Sequence, residues 1–182
     1  GFTLAYYSPA FETINPGLEL TEIEQSLFNS LAPICAIFGS PLTNLIIDRL
    51  GRRWSLIISA VIIIVAWALI TGSTKKIKAM AFVGRAISGI GCGAASTVAP
   101  VYISEIVHPS RRGTFGVFSQ FAVSIASTLC YLLGYIEDWR IEAAIEFIPP
   151  ALLLILIWFV PDSEVKQKVE DKQEKESIFQ CK

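Results

Sequence analysis

The chain predicts an all-α polytopic membrane protein, and three observations carry that reading. Of its 182 residues 53% are hydrophobic and only 17% are charged, and the mean hydropathy is +0.55. A soluble domain carries about 25% charged residues and distributes them along its length. Here the charges cluster between long uncharged runs, several of them long enough to cross a bilayer as a helix. The third observation is the stretch from Gly84 to Gly113, which has no charged residue between Arg85 and Glu105. At a helical rise of 1.5 Å per residue those two charges stand roughly 30 Å apart, one hydrocarbon thickness. Gly84, Gly89, Gly91 and Gly93 recur within it at a spacing that lets neighbouring helices approach closely. The formal net charge is −1, so nucleic acid is not an implied partner. Cys35, Cys92, Cys130 and Cys181 are far apart and show neither metal spacing nor a disulfide framework. No catalytic constellation is apparent, and neither a metal nor a cofactor is expected.

In chain order, residues 1–9 read as the last turns of a first helix whose beginning precedes the sequence. Phe11 to Glu24 reads as a loop, with Asn15-Pro16-Gly17 as a turn signal. It holds Glu12, Glu19, Glu22 and Glu24 and no Lys or Arg. Thr21 and Glu24 have the spacing of a capping box. Residues 25–47 form an uncharged span interrupted by Pro33 and Pro41, which a membrane bundle tolerates. It ends in Asp48-Arg49-Leu50-Gly51-Arg52-Arg53. Residues 54–74 are the next span, with Trp54 at an interface position, followed by Lys75, Lys76 and Lys78. Residues 79–104 are the central helix, and Glu105 to Arg112 a short polar loop. Residues 113–136 are a further span. The last span, 139–160, is long enough only if it starts near Trp139, which puts Glu142 and Glu146 at the membrane edge. Charges are expensive there, and the reading is a wet or frayed helix start. Residues 161–182 form a charged tail. The excess of arginine sets orientation. The two arginine loops and the tail are expected on the cytoplasmic side. The acidic first loop is expected outside, with the lysine loop beside it despite its charge.

The two arginine loops echo each other. Asp48 is followed by Arg52-Arg53, and Glu105 by Arg111-Arg112, a loose hint of internal repetition. A carboxylate at a helix C-terminus is disfavoured by the macrodipole unless a cation neutralises it. Arginines supply that cation with directional hydrogen bonds. Pairs that break as helices move would act as a two-state gate. The plainer reading is that these arginines bind headgroups and set topology.

These residues together resemble the sugar porter family of the major facilitator superfamily. One signature is Asp48-Arg49-Leu50-Gly51-Arg52-Arg53. Another runs from Ile87-Ser88-Gly89-Ile90-Gly91 through Tyr102, Glu105 and Arg112-Gly113 to Gln120. Pro161-Asp162-Ser163 is similar to the family's element after its sixth helix. Gly1-Phe2-Thr3-Leu4 and Ser8-Pro9 resemble insect-type facilitated trehalose and hexose transporters. The resemblance implies the six-helix amino-terminal half of a major facilitator fold, with its first helix truncated and its carboxy-terminal six-helix half outside the sequence. It implies a small-molecule sugar as partner, a lipid bilayer as medium and the cell membrane as location, with the tail cytoplasmic.

It also assigns roles. Asp48, Arg49, Gly51, Arg52, Arg53, Glu105, Arg111, Arg112 and Gly113 become the cytoplasmic gate. Gln120, Ser124, Ser127, Thr3 and Arg85 become substrate-binding candidates. Gln120 needs partners inside an apolar span and, with Ser124 and Ser127, occupies one helical face. Arg85 is expected to face a water-filled cavity or a carboxylate. Thr3 stands where proton-coupled members carry an acid, which implies facilitated diffusion of a hexose or trehalose. Departures from the family pattern are Ala5 for Gly, Asn44 for Gly, Glu164-Val165 for Pro-Arg, and Glu142 and Glu146 where the family is apolar. The alternative is a truncated, non-transporting paralogue that associates with or regulates a full-length transporter. His108 reads as a solvated loop residue.

Overall fold

The computed structural model describes residues 1–74, 77–135 and 138–159; the charged tail expected at 161–182 lies outside the described residues, as do Lys75 and Lys76. The elements are helices α1 (Phe2–Ala5), α2 (Tyr7–Leu18), α3 (Glu22–Leu50), α4 (Arg52–Thr71), α5 (Lys78–Ile106), α6 (Arg112–Leu133), α7 (Trp139–Ile145) and α8 (Ile148–Leu156). A 3-10 turn, Pro109–Arg111, precedes α6, and another, Ile157–Phe159, ends the described chain. Tyr6, in helical conformation, joins α1 to α2. Among the described residues, α3, α4, α5, α6 and the stretch Trp139–Phe159 are long and apolar enough to cross a membrane.

The turn expected at Asn15-Pro16-Gly17 does not form. α2 continues through it, because Ala10, Ile14 and Leu18 recur every four residues on one fully buried face. The helix stops at Glu19, whose backbone is left-handed at φ 53°. The capping box does form. The Thr21 amide donates to Glu24 Oε2 at 2.8 Å, and the Glu24 amide reaches Thr21 Oγ1 at 3.4 Å. The last span is two helices rather than one. Pro149 and Pro150 cannot donate within a helix but suit its first turn. α8 therefore restarts at Ile148, and Glu146 becomes the residue that ends α7.

α5 is the centre of the bundle, and its glycines serve two neighbours. Gly89 and Gly93 face α3, where a Cβ would meet the backbone of Ala32 and Ala36; Gly39 of α3 meets Ile90 in return. Gly84 and Gly91 face α4, at Ala66, Ile70 and Ile63. Ser40 spans the α3–α5 seam, its hydroxyl 3.2 Å from the Ala36 carbonyl and 3.3 Å from that of Gly93. Apolar clusters lie above and below the seam. One gathers Tyr6, Ile14, Leu18, Phe28, Trp67, Ile70 and Trp139. The other gathers Ile47, Leu56, Val98, Tyr102 and Ile157.

A single residue, Gly51, links α3 to α4 with φ 83° and ψ 165°. That region is essentially closed to side-chain-bearing residues, and this backbone requirement is what the glycine meets, since a Cβ there would touch nothing within 4 Å.

The connections sort into two groups. Lys78 Nζ donates to the Glu19 carbonyl and lies 3.7 Å from Glu24 Oε2. Arg140 donates to the Ser73 carbonyl at 3.1 Å. The α2–α3, α4–α5 and α6–α7 connections thus share one end of the bundle, and Gly51 and the turn before α6 share the other. A cation among the acidic loops has a local cause: Lys78 answers the carbonyl end of α2 and the Glu24 carboxylate. We expect this end to be extracellular. Ile77 is 56% exposed and Ser73 fully buried, so a cysteine at Ile77 is the informative probe. It should react with an impermeant thiol reagent applied to intact cells; protection there, with labelling after permeabilisation, would invert the topology.

Candidate functional site

At the arginine end, two helix termini carry charges of unfavourable sign. Arg52 opens α4, at the positive end of its dipole, and Glu105 lies in the last turn of α5, at the negative end. The two helices pack antiparallel, so each charge neutralises the other. Glu105 Oε1 accepts from Arg52 Nε at 3.0 Å and stands 2.9 Å from its Nη2. Both side chains are partly buried. Arg53 turns the other way, over the ring of Trp158 at 5.4 Å. The structure does not bring Arg112 to Glu105. Its Nε instead reaches the carbonyl of Val107 at 3.5 Å, because the 3-10 turn keeps it on the exposed start of α6. Arg49 and Arg111 are exposed, and a Cβ at Gly113 would meet nothing within 4 Å. The side chain of Asp48 lies outside the described residues. His108 is exposed and its Nδ1 is 2.9 Å from Ser110 Oγ.

Arg85 occupies neither a cavity nor a lipid-facing position. It is 1% exposed within the bundle. One guanidinium nitrogen donates to the Thr3 carbonyl at 2.8 Å, and the group lies 5.7 Å from the Tyr6 ring and 5.6 Å from the Phe28 ring. Aromatic faces are favourable neighbours for a desolvated cation, which is how α5 carries a charge through the core. Thr3 is likewise buried. Glu142 and Glu146 are not at a frayed helix start; they are 1% and 2% exposed, on the inward face of α7.

The polar stripe on α6 has a different setting. Gln120 and Ser124 are exposed and Ser127 half-buried. Each serine hydroxyl is spent on its own helix: Ser124 donates to the Gln120 carbonyl at 3.2 Å and Ser127 to that of Val123 at 3.0 Å. Their free lone pairs can still accept, while the Gln120 amide supplies both donor and acceptor. The stripe continues one turn beyond Ser127 to Tyr131. Tyr131 lines a cleft of about 380 Å³ with Leu4, Ala5, Tyr7, Ser8, Phe11 and Asn29. None of the five substrate-binding candidates lines this cleft. Its polar members, Ser8, Asn29 and the two tyrosines, were not singled out from sequence. Asn29 could have been, by the reasoning applied to Gln120, since it too sits in an uncharged span.

Apolar helices packed through a glycine seam, with a charge pair at one end and a cleft nearer the other, define a multi-pass membrane protein built like half of a major facilitator transporter. The family model described as sugar (and other) transporter matches residues 3–180, and the chain belongs to that family. It is 36% identical over 167 residues to the facilitated glucose transporter member 8 of solute carrier family 2 from Bos taurus, covering 90% of this chain and 34% of that protein. It is 38% identical over 163 residues to sugar transporter ERD6-like 6 of Arabidopsis thaliana, covering 90% and 33%. It is 34% identical over 167 residues to the facilitated trehalose transporter Tret1 of Culex quinquefasciatus, covering 90% and 32%. Among solved structures, a partially occluded inward-open form of the xylose transporter XylE from E. coli superposes with a TM-score of 0.82 at 27% identity, covering 95% of this chain and 49% of that one. The chain thus spans about a third of these curated relatives and about half of the solved transporter, and its fold is the amino-terminal half of the superfamily's.

Proposed function

We propose that this chain is the amino-terminal half of a facilitative sugar transporter that carries a hexose or trehalose by alternating access across the cell membrane, with its arginine end and tail cytoplasmic. The observation that carries the reading is α6. Only 6% of its apolar window is buried, against 44% for α5, yet one exposed face bears Gln120 and Ser124 and runs toward a cleft. A helix with an exposed polar stripe in an apolar medium needs a polar cover. A second six-helix half meeting α6 supplies it and leaves a sugar-sized space between the halves. Gln120, Ser124 and Ser127 would then contact hydroxyls, with Arg85 and Thr3 holding the first helix against α5. Thr3 cannot titrate, which suits facilitated diffusion.

The test is uptake of radiolabelled glucose and trehalose by cells expressing the complete reading frame that contains this chain. Saturable uptake of one of them is expected. Gln120→Ala should raise KM about two- to tenfold, the loss of one ordinary hydrogen bond of about 0.5–1.5 kcal/mol. Surface expression with uptake of neither sugar would overturn the reading in favour of a non-transporting paralogue.

A further inference from the structure

The buried charges that sugar recognition does not use lie on α7. Glu142 and Glu146, four residues apart, project from one face of that helix, and both are almost fully buried. They converge on a single atom of α6: Cys130 Sγ is 3.9 Å from Oε1 of Glu142 and 3.6 Å from Oε1 of Glu146. A thiol has one proton to donate, so one carboxylate of the two is left without a donor. Among the described residues neither carboxylate has a cationic nitrogen within ion-pair distance. Arg85, facing them from α5, acts on Glu146 by charge alone, and its buried Nε has no hydrogen-bond partner.

The other ionisable groups facing the pair are few. The Tyr6 hydroxyl donates to the Trp139 carbonyl at 3.1 Å. α4 packs on α7 but carries its ionisable residues, Arg52 and Arg53, at its far end. Two ionised carboxylates in this setting would leave an unbalanced negative charge at a buried site. Buried acids in that position take up a proton, and two that share a site hold it jointly.

We propose that Glu142 and Glu146 form a proton-binding dyad, with one proton held between the two carboxylates against Cys130 and Arg85 balancing the charge that remains. The dyad joins α7 to α6 and faces α5. Losing the proton places a second negative charge among these three helices and loosens the seating of α6. The proposal does not depend on which sugar, if any, is carried.

The test is infrared spectroscopy of the full 182-residue chain in lipid nanodiscs, with and without the paired substitution Glu142→Gln and Glu146→Gln. Exposed carboxylates are ionised at neutral pH, so a protonated-carboxyl stretching band there reports the dyad. We expect that band in the unsubstituted chain, its loss as the pH is raised, and its absence from the doubly substituted chain. An unsubstituted chain with no such band at neutral pH overturns the proposal, as does a band that survives both substitutions. The titration of the unsubstituted chain decides even where the variant fails to fold.

Discussion

Gly93→Val should prevent the bundle from assembling. A Cβ at Gly93 would lie 2.9 Å from both the Cα and the carbonyl carbon of Ala36 and closer still to its oxygen. These are backbone atoms of α3, so no rotamer change relieves the contact and the two helices must separate. Separation at this point also parts Gly89 from Ala32 and Gly39 from Ile90, and in lipid the close approach of small residues is itself what holds helices together. Overpacking one extra group costs about 1–3 kcal/mol where side chains can adjust; valine against backbone should exceed that range, and Gly93→Ala should fall near its upper end. Size-exclusion profiles and tryptophan-monitored melting of detergent-solubilised protein would report it. Gly116→Ala, where nothing lies within 4 Å, is the matched control and should stay within about 0.5 kcal/mol of the parent. A Gly93→Val protein that elutes and melts as the parent does would show that the seam is not the assembling contact.

Glu105→Gln is the second large expected effect, and it falls on rate rather than on folding. The substitution keeps the shape and removes the charge that Arg52 meets at 2.9 Å. A hydrogen bond to a charged group contributes about 1.5–3 kcal/mol, which shifts a two-state population tenfold or more. Within the complete transporter the variant should favour the inward-open state and slow net exchange by that order, while equilibrium sugar binding is kept. Arg52→Gln should do the same, and the two changes together should be no worse than either, since they remove one interaction. Unchanged exchange in Glu105→Gln would reduce the pair to a solvated helix end.

The spans were legible because charge is excluded from lipid, and that exclusion writes itself into the sequence as uncharged runs. α3, α4, α5 and α6 follow from it directly. The capping box at Thr21 and the glycine pattern of α5 were legible for local reasons. What was not legible is tertiary. Asn15-Pro16-Gly17 has turn chemistry, but burial of Ile14 and Leu18 outweighs it. Glu142 and Glu146 looked misplaced because a linear reading measures depth in the membrane and not facing; only the placement of α7 against α4 and α2 shows that they point at Cys130. Arg85 was expected to face water or a carboxylate; the Thr3 carbonyl and the Tyr6 and Phe28 rings enclose it, and among the described residues no carboxylate lies within ion-pair distance. The cleft residues Ser8 and Tyr131 come from helices far apart in sequence, and nothing in either segment announces the other.

The one-residue turn at Gly51 bears on how the chain enters the membrane. Helices of 29 and 20 residues joined by one residue leave no connecting segment to be threaded separately. α3 and α4 are therefore expected to enter as one hairpin, and on the proposed topology Arg49, Arg52 and Arg53 at its tip would keep that tip on the side of synthesis.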